Sequence, residues 1–254
     1  MPLTGKTIAV LGGTGAEGSG LAFRWAHAGL SVVIGSRDGA KAAAAAMELD
    51  GQIGRRAIEG LDNAGAAARG DIVVLAVPYA AQQATALAVK PQLAGKILVD
   101  VTVPLMPPKV DRVQLPGGRS AVEQLAEKLG PETSVVAAFQ NVGAHHLKDL
   151  SHRIDCDVLV CGDSKAAREA AIALAAAAGL TGIHAGPLAN AAAVEAMTSV
   201  LIAVNKAYTA KASGIRITGL PGQSGRFNVG SSDALHREAQ HSATGRASFG
   251  LAAQ

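Results

Sequence analysis

Residues 7–26 read Thr7-Ile8-Ala9-Val10-Leu11-Gly12-Gly13-Thr14-Gly15-Ala16-Glu17-Gly18-Ser19-Gly20-Leu21-Ala22-Phe23-Arg24-Trp25-Ala26. A short β-branched run enters a cluster of glycines, and a helix-forming run leaves it. Gly13, Gly15 and Gly18 satisfy G-x-G-x-x-G between a strand and a helix, where a turn needs positive φ and the backbone must come close to a pyrophosphate. Thr14, Ala16 and Glu17 complete the turn. The helix that follows offers unpaired N–H groups and the positive end of its dipole to phosphate. Gly12, Gly15 and Gly18 also fit the G-x-x-G-x-x-G spacing of short-chain dehydrogenases, so the turn alone leaves the enzyme class open. That superfamily needs Tyr-x-x-x-Lys, and four residues after Tyr79 and Tyr208 stand Gln83 and Ala212.

Outward from this turn, β-branched runs alternate with alanine-rich helical ones. Thr7 to Leu11, Ser31 to Ile34, Asp71 to Val77, Lys96 to Val101 and Ser134 to Ala137 read as strands. Several are continuously apolar, as strands covered on both faces should be. The expected fold class is α/β, a Rossmann-type doubly wound parallel sheet. After Gly143 the texture changes to a short helix near Ala144 to Leu150, a strand around Cys156 and Cys161, a helix from Lys165 to Ala178, a strand near Gly182 to Ala185 and a long apolar helix from Ala189 to Tyr208. The chain therefore divides into a dinucleotide-binding domain over 1–143, a small C-terminal α/β domain over 144–220 that closes a cleft, and an extended or disordered tail over 221–254. The proline-rich loop Val103 to Gly118 is longer than connections usually are, which puts it at the mouth of a site.

Cofactor choice is read at the end of the second strand. An enzyme for NAD carries a carboxylate there for the ribose 2′-hydroxyl, whereas this chain has Ser36 and Arg37, with Lys41 one helical turn on. A hydroxyl, a guanidinium and an ammonium suit the 2′-phosphate of NADP, which a carboxylate would repel. Val77-Pro78-Tyr79 and Asp100 to Leu105 lie at carboxyl strand ends, where open α/β sheets place ligands. Gln140 and Asn141, before Val142 and Ala144, are unusual polar residues for a strand exit unless they bind something. His145 and His146 read as a solvated face, since no carboxylate is spaced to join them around a metal.

Composition bounds the rest. The 254 residues are 49% hydrophobic, 17% charged and 3% aromatic, which excludes a disordered or fibrous chain. A net charge of +3, without a basic stripe, argues against nucleic acid as a partner. Cys156 and Cys161 read as half-buried thiols on opposite faces of a strand, fitting a cytoplasmic location. Neither a signal peptide nor a membrane span is expected, because Ala170 to Val194 is interrupted by Gly179, Gly182 and Gly186-Pro187.

From residue 7 to about 220 the chain resembles the NADPH-dependent F420 reductase family. The resemblance rests on Ile8-Ala9-Val10-Leu11-Gly12-Gly13-Thr14-Gly15, Gly35-Ser36-Arg37, Asp157 to Asp163, His184-Ala185-Gly186-Pro187-Leu188 and Ala212 to Gly219. It implies a cleft holding NADP(H) and the deazaflavin coenzyme F420, with hydride passing directly between them. It also implies that Thr14 to Glu17 bind phosphate, that Ser36, Arg37 and Lys41 hold the 2′-phosphate, and that Val142 and Ala144 bring backbone close to both rings. Gln140 departs from the His or Asn of the family. No residue is required as a protein acid or base, and the expected assembly is a homodimer. Other readings are reduction of a flavin, a pterin or a small imine or carbonyl, or a non-catalytic NADP sensor.

Overall fold

A computed structural model describes residues 3–221. In chain order the elements are β1 (Thr7–Leu11), α1 (Ala16–His27), β2 (Ser31–Ser36), α2 (Gly39–Ile53), β3 (Ile58–Asp62), α3 (Asn63–Arg69), β4 (Ile72–Leu75), α4 (Tyr79–Ala88), α5 (Lys90–Leu93), β5 (Ile97–Asp100), α6 (Ala121–Leu129), β6 (Ser134–Ala137), β7 (Asp157–Gly162), α7 (Lys165–Ala177), β8 (Thr181–His184) and α8 (Ala191–Tyr208). The sheet order is β3-β2-β1-β4-β5-β6-β7-β8. Strands β1 to β6 are parallel in the doubly wound order, which reverses between β1 and β4. β7 runs antiparallel to β6, with Ala137 opposite Cys161, and β8 is parallel to β7.

Both faces are apolar because successive side chains alternate sides. Ile8 and Val10 join Leu21, Ala22, Ala46, Leu49, Ala171 and Leu174 under α1, α2 and α7. Ala9 and Leu11 join Ala66, Ala86, Leu93, Leu125 and Val194 under α3 to α6 and α8. The boundary expected near residue 143 falls inside one compact unit, Met1–Arg216. The expected tail lies outside the described residues apart from residue 221.

Three local readings need correction. The helix near Ala144 to Leu150 is only a single 3-10 turn, Ala144–His146. Cys156 precedes β7, and both thiols are buried rather than half-buried. The edge strand β3 has no counterpart in the strands expected from sequence: it needs apolar side chains on one side alone, so Ile58-Glu59-Gly60-Leu61-Asp62 shows no apolar run.

β3 is nonetheless packed tightly. A Cβ on Gly60 would lie 2.3 Å from the carbonyl carbon and oxygen of Ala42 in α2. Gly60→Ala must push α2 away, and we expect it to cost about 2 kcal/mol in chemical denaturation. An unchanged midpoint would mean that α2 does not bear on β3.

Among the described residues one stretch, Leu188–Tyr208, has the length and mean hydropathy (1.4) of a membrane-crossing helix. A third of it is buried: its first turns pack on the core through Ala191 and Val194 and carry the buried Glu195.

Candidate functional site

The turn after β1 is shaped by contacts that a side chain would violate. The positive φ belongs to Gly12 (+78°), one residue before the expected position, and none of Gly13, Gly15 and Gly18 has one. A Cβ on Gly13 would lie 2.6 Å from Ile34 Cβ, and one on Gly18 would lie 2.7 Å from Gly12 O. These two glycines bring strand and helix together. Gly15 is the N-cap of α1, in extended conformation, and no side chain caps the helix. Gly15 and Ala16 are exposed and Thr14 is half-buried. The N–H groups of Gly12, Gly13 and Gly15 donate to carbonyls of the chain, and those of Thr14, Ala16 and Glu17 donate to none among the described residues, which leaves them to a pyrophosphate.

At the end of β2, Ser36 is half-buried and its Oγ accepts from Asp38 N at 3.3 Å. Asp38 caps α2, accepting from Ala40 N (2.9 Å) and Lys41 N (3.2 Å), so its carboxylate is directed at the helix. Arg37 and Lys41 are exposed and take part in no ion pair among the described residues. Arg37 lines an open depression with Asp38, Gly39, Gly60, Leu61 and Asp62. The Arg37 guanidinium at this depression fits a bound phosphomonoester, with Lys41 in the first turn of α2 as a second cation nearby in sequence.

On the other side of the reversal, β4 leads into Val77, Pro78 and Tyr79, with Pro78 as N-cap of α4 and Tyr79 half-buried. At the exit of β6, Phe139 has φ +73° and is fully buried, with its ring against Trp25 at 5.9 Å. This left-handed backbone at a bulky residue turns the chain across the sheet edge. The amides that follow are committed to the fold. Gln140 Nε2 donates to Asp100 O (2.8 Å), and Asn141 Nδ2 donates to Asp157 O (2.7 Å) and Cys156 Sγ (3.2 Å). Val142 is buried and Ala144 half-buried.

The segment carrying Val142 and Ala144 is held from below by α1. Arg24, only 7% exposed, donates from Nε to Leu147 O (2.7 Å), from Nη1 to Ala178 O (3.1 Å) and from Nη2 to His146 O (2.9 Å) and Asp149 O (2.8 Å). Those carbonyls face the guanidinium, so no regular helix forms there. From the other side Thr198 Oγ1 of α8 donates to Gln140 O at 2.7 Å. The proline-rich loop leaves the same edge after β5, and Lys206 Nζ of α8 meets its Asp111 at 2.6 Å.

Sequence reading missed a buried polar nest at this edge. Asp100 is fully buried and accepts from Thr102 N (2.9 Å) and from Gln82 Nε2 (2.6 Å). Burial, with Glu195 acting through space, pushes its carboxyl up to about 6 against those hydrogen bonds. The half-buried Glu17 has an Oε1 with no hydrogen-bond partner among the described residues; desolvation first, and the charge of Asp100 second, push its carboxyl up to about 8. Glu195, 1% exposed, accepts from Ser120 Oγ (2.8 Å), Ala121 N (2.8 Å) and Val122 N (3.0 Å) at the start of α6. An acid closing the apolar strand Ile97-Leu98-Val99-Asp100 was the available signal, since burying a carboxyl is costly unless it is used.

This combination of strand order, uncapped glycine turn and free cations beside β2 defines a dinucleotide-binding protein of the Rossmann class. Residues 7–104 match the family model described as NADP oxidoreductase, coenzyme F420-dependent. The chain is 43% identical over 224 residues to the F420-dependent NADP reductase of Methanothermobacter thermautotrophicus, covering 85% of this chain and 96% of that protein. It is 41% identical over 221 residues to the enzyme of the same name from Methanocaldococcus jannaschii, covering 84% and 98%. A crystal structure from Arthrobacter sp. FB24, assigned as an F420-dependent NADP reductase, superposes with a TM-score of 0.71 at 30% identity, covering 85% of this chain and all of that one. The chain belongs to the F420-dependent NADP reductase family.

Proposed function

We propose that this protein is an NADP:F420 oxidoreductase, passing a hydride between the nicotinamide of NADP(H) and the deazaflavin of coenzyme F420. The observation that carries this reading is the uncapped α1 N-terminus together with the exposed Arg37 and Lys41, which take part in no ion pair among the described residues, in a chain of this family. Gly13, Thr14, Gly15, Ala16, Glu17 and Gly18 would take the pyrophosphate, and Ser36, Arg37 and Lys41 the 2′-phosphate. Val77, Pro78, Tyr79, Gln140, Asn141, Val142 and Ala144 would line the side where the two rings meet. The two coenzymes supply the hydride chemistry themselves. The protein's own part is to hold the chain on either side of 142–144, Asn141 through Asp157 O and Arg24 through the carbonyls of His146 and Leu147, and to keep water from the rings.

The exposed side chains Ala193, Val200 and Ala203 of α8 support a homodimer paired through this helix. Light scattering should give twice the chain mass; a monomer would overturn the pairing. The function is tested spectrophotometrically with NADPH and F420, with NADH and FMN in parallel. Rapid loss of the deazaflavin band with NADPH alone is the expected result. Tight NADPH binding without F420 reduction would overturn it in favour of another flat acceptor or a sensing role.

A further inference from the structure

Arg37 shares its depression with two carboxylates, Asp38 and Asp62. Asp38 belongs to the same turn and accepts from Ala40 N and Lys41 N, so it orders the start of α2 as well as opposing an anion. Asp62 comes from the neighbouring strand. It ends β3 opposite Ser36 in the parallel register, and its backbone lies against the start of α2, where a Cβ on Gly39 would be 3.2 Å from Asp62 N. Its Oδ1 accepts from Gly65 N at 2.6 Å and so caps α3. The residue is exposed and takes part in no ion pair among the described residues. A neutral N–H donor leaves the carboxylate its charge, and the N-terminus of a two-turn helix offsets only part of it.

Selection of a phosphomonoester at this edge is therefore a difference between opposing charges. Ser36, Arg37 and Lys41 attract the dianion, and Asp62, directly across from Ser36, repels it. Neighbouring strands run about 4.8 Å apart, so a phosphate touching Ser36 lies within about 10 Å of Asp62, comparable with the screening length at 0.1 M salt. At an open surface such a repulsion is modest and falls as salt is added. A ribose 2′-hydroxyl is neutral and does not feel it.

We propose that Asp62 is a specificity-determining residue of the cofactor site, which holds the preference for NADPH over NADH below the level that Ser36, Arg37 and Lys41 would set alone. This role rests on the NADP(H) reading of the depression. Asp62 makes no contact with the cofactor in it and acts through space on the 2′-phosphate. The pyrophosphate is common to both cofactors, so whatever Asp62 does to it cancels in the ratio of their affinities. The capping role is separable from the charge: Asn and Ser cap a helix as Asp does, and neither is ionised. Asp62 also lies on a different strand from Ser36, Arg37 and Lys41, so replacing it leaves the phosphate ligands themselves intact.

Dissociation constants of NADPH and NADH would be measured by fluorescence titration on the full chain, on Asp62→Asn and on Asp62→Ser, at about 0.05 M and about 0.5 M salt. The constant for NADH divided by that for NADPH is expected to rise about threefold in both variants at the lower salt, and by less than about 1.5-fold at the higher. Calorimetry with adenosine 2′,5′-bisphosphate and with AMP, which lack the nicotinamide, should give the same gain for the bisphosphate alone. An unchanged ratio in both variants overturns the proposal, and so does a gain that persists undiminished at the higher salt. A loss of NADPH affinity overturns it too, since Asp62 would then be helping to hold the cofactor or to order Arg37. If neither NADPH nor the bisphosphate binds the unmodified protein, the NADP reading falls and takes this role with it.

Discussion

Replacing Arg37 by alanine should weaken NADPH binding about ten- to a hundredfold and leave NADH nearly unchanged. Arg37, just after β2, and Lys41, in the first turn of α2, stand exposed with no ion pair among the described residues, while the neighbouring Asp38 is occupied in capping α2. A charged hydrogen bond to a phosphate is worth about 1.5–3 kcal/mol, which converts to that range of affinity. Because the lost contact is to the 2′-phosphate alone, the two cofactors separate the specific effect from damage to the turn. Arg37→Lys should recover part of the affinity, since an ammonium keeps the charge but not the fork. Equal losses for NADPH and NADH, measured by fluorescence titration, would remove Arg37 from the 2′-phosphate site.

Arg24→Leu is expected to have the largest effect on stability. Its guanidinium bonds the carbonyls of His146, Leu147, Asp149 and Ala178, tying α1 to the segment behind the site and to the end of α7. Leucine fills part of the space but leaves those carbonyls without their donor. Losing charge-assisted bonds and stranding buried acceptors should cost at least about 3 kcal/mol, or roughly 10 °C in Tm for a domain of this size. Arg24→Lys should also be poor, because one nitrogen cannot reach acceptors spread from residue 146 to residue 178. Thermal melting of the three proteins checks this; a loss below about 1 kcal/mol would mean that water replaces the guanidinium.

The glycine turn and the cations after β2 were legible because both depend on local chemistry. Even so, the positive φ sits at Gly12, since overlapping glycine patterns leave the register open until Ala76 and Ile34 are in place around them. The 144–150 segment looked helical because its residues allow a helix. Arg24, more than a hundred positions earlier, takes the carbonyls that a helix would need. Gln82 escaped, and so did the polar cluster around Asp100, for the same reason: a strand end and an alanine-rich helix are each unremarkable until the sheet stacks them together. Gln140 and Asn141 were legible as unusual polar residues at a strand exit, but not that their nitrogens would bind Asp100 and Asp157 of the chain itself.

The reversed strand β7 meets β6 only at its far end, Cys161 opposite Ala137 and Gly162 opposite Val136. β7 therefore begins beyond the tip of β6, and β8, with His184 opposite Val160, ends level with that tip. α8 starts seven residues later, and by Glu195, four residues into the helix, it meets Ser120 and the first N–H groups of α6. About twenty ångströms of helix follow, from Glu195 to Tyr208 at 1.5 Å per residue. One inverted strand thus hangs the end of the sheet off the tip of β6 like a bracket, and the bracket carries α8.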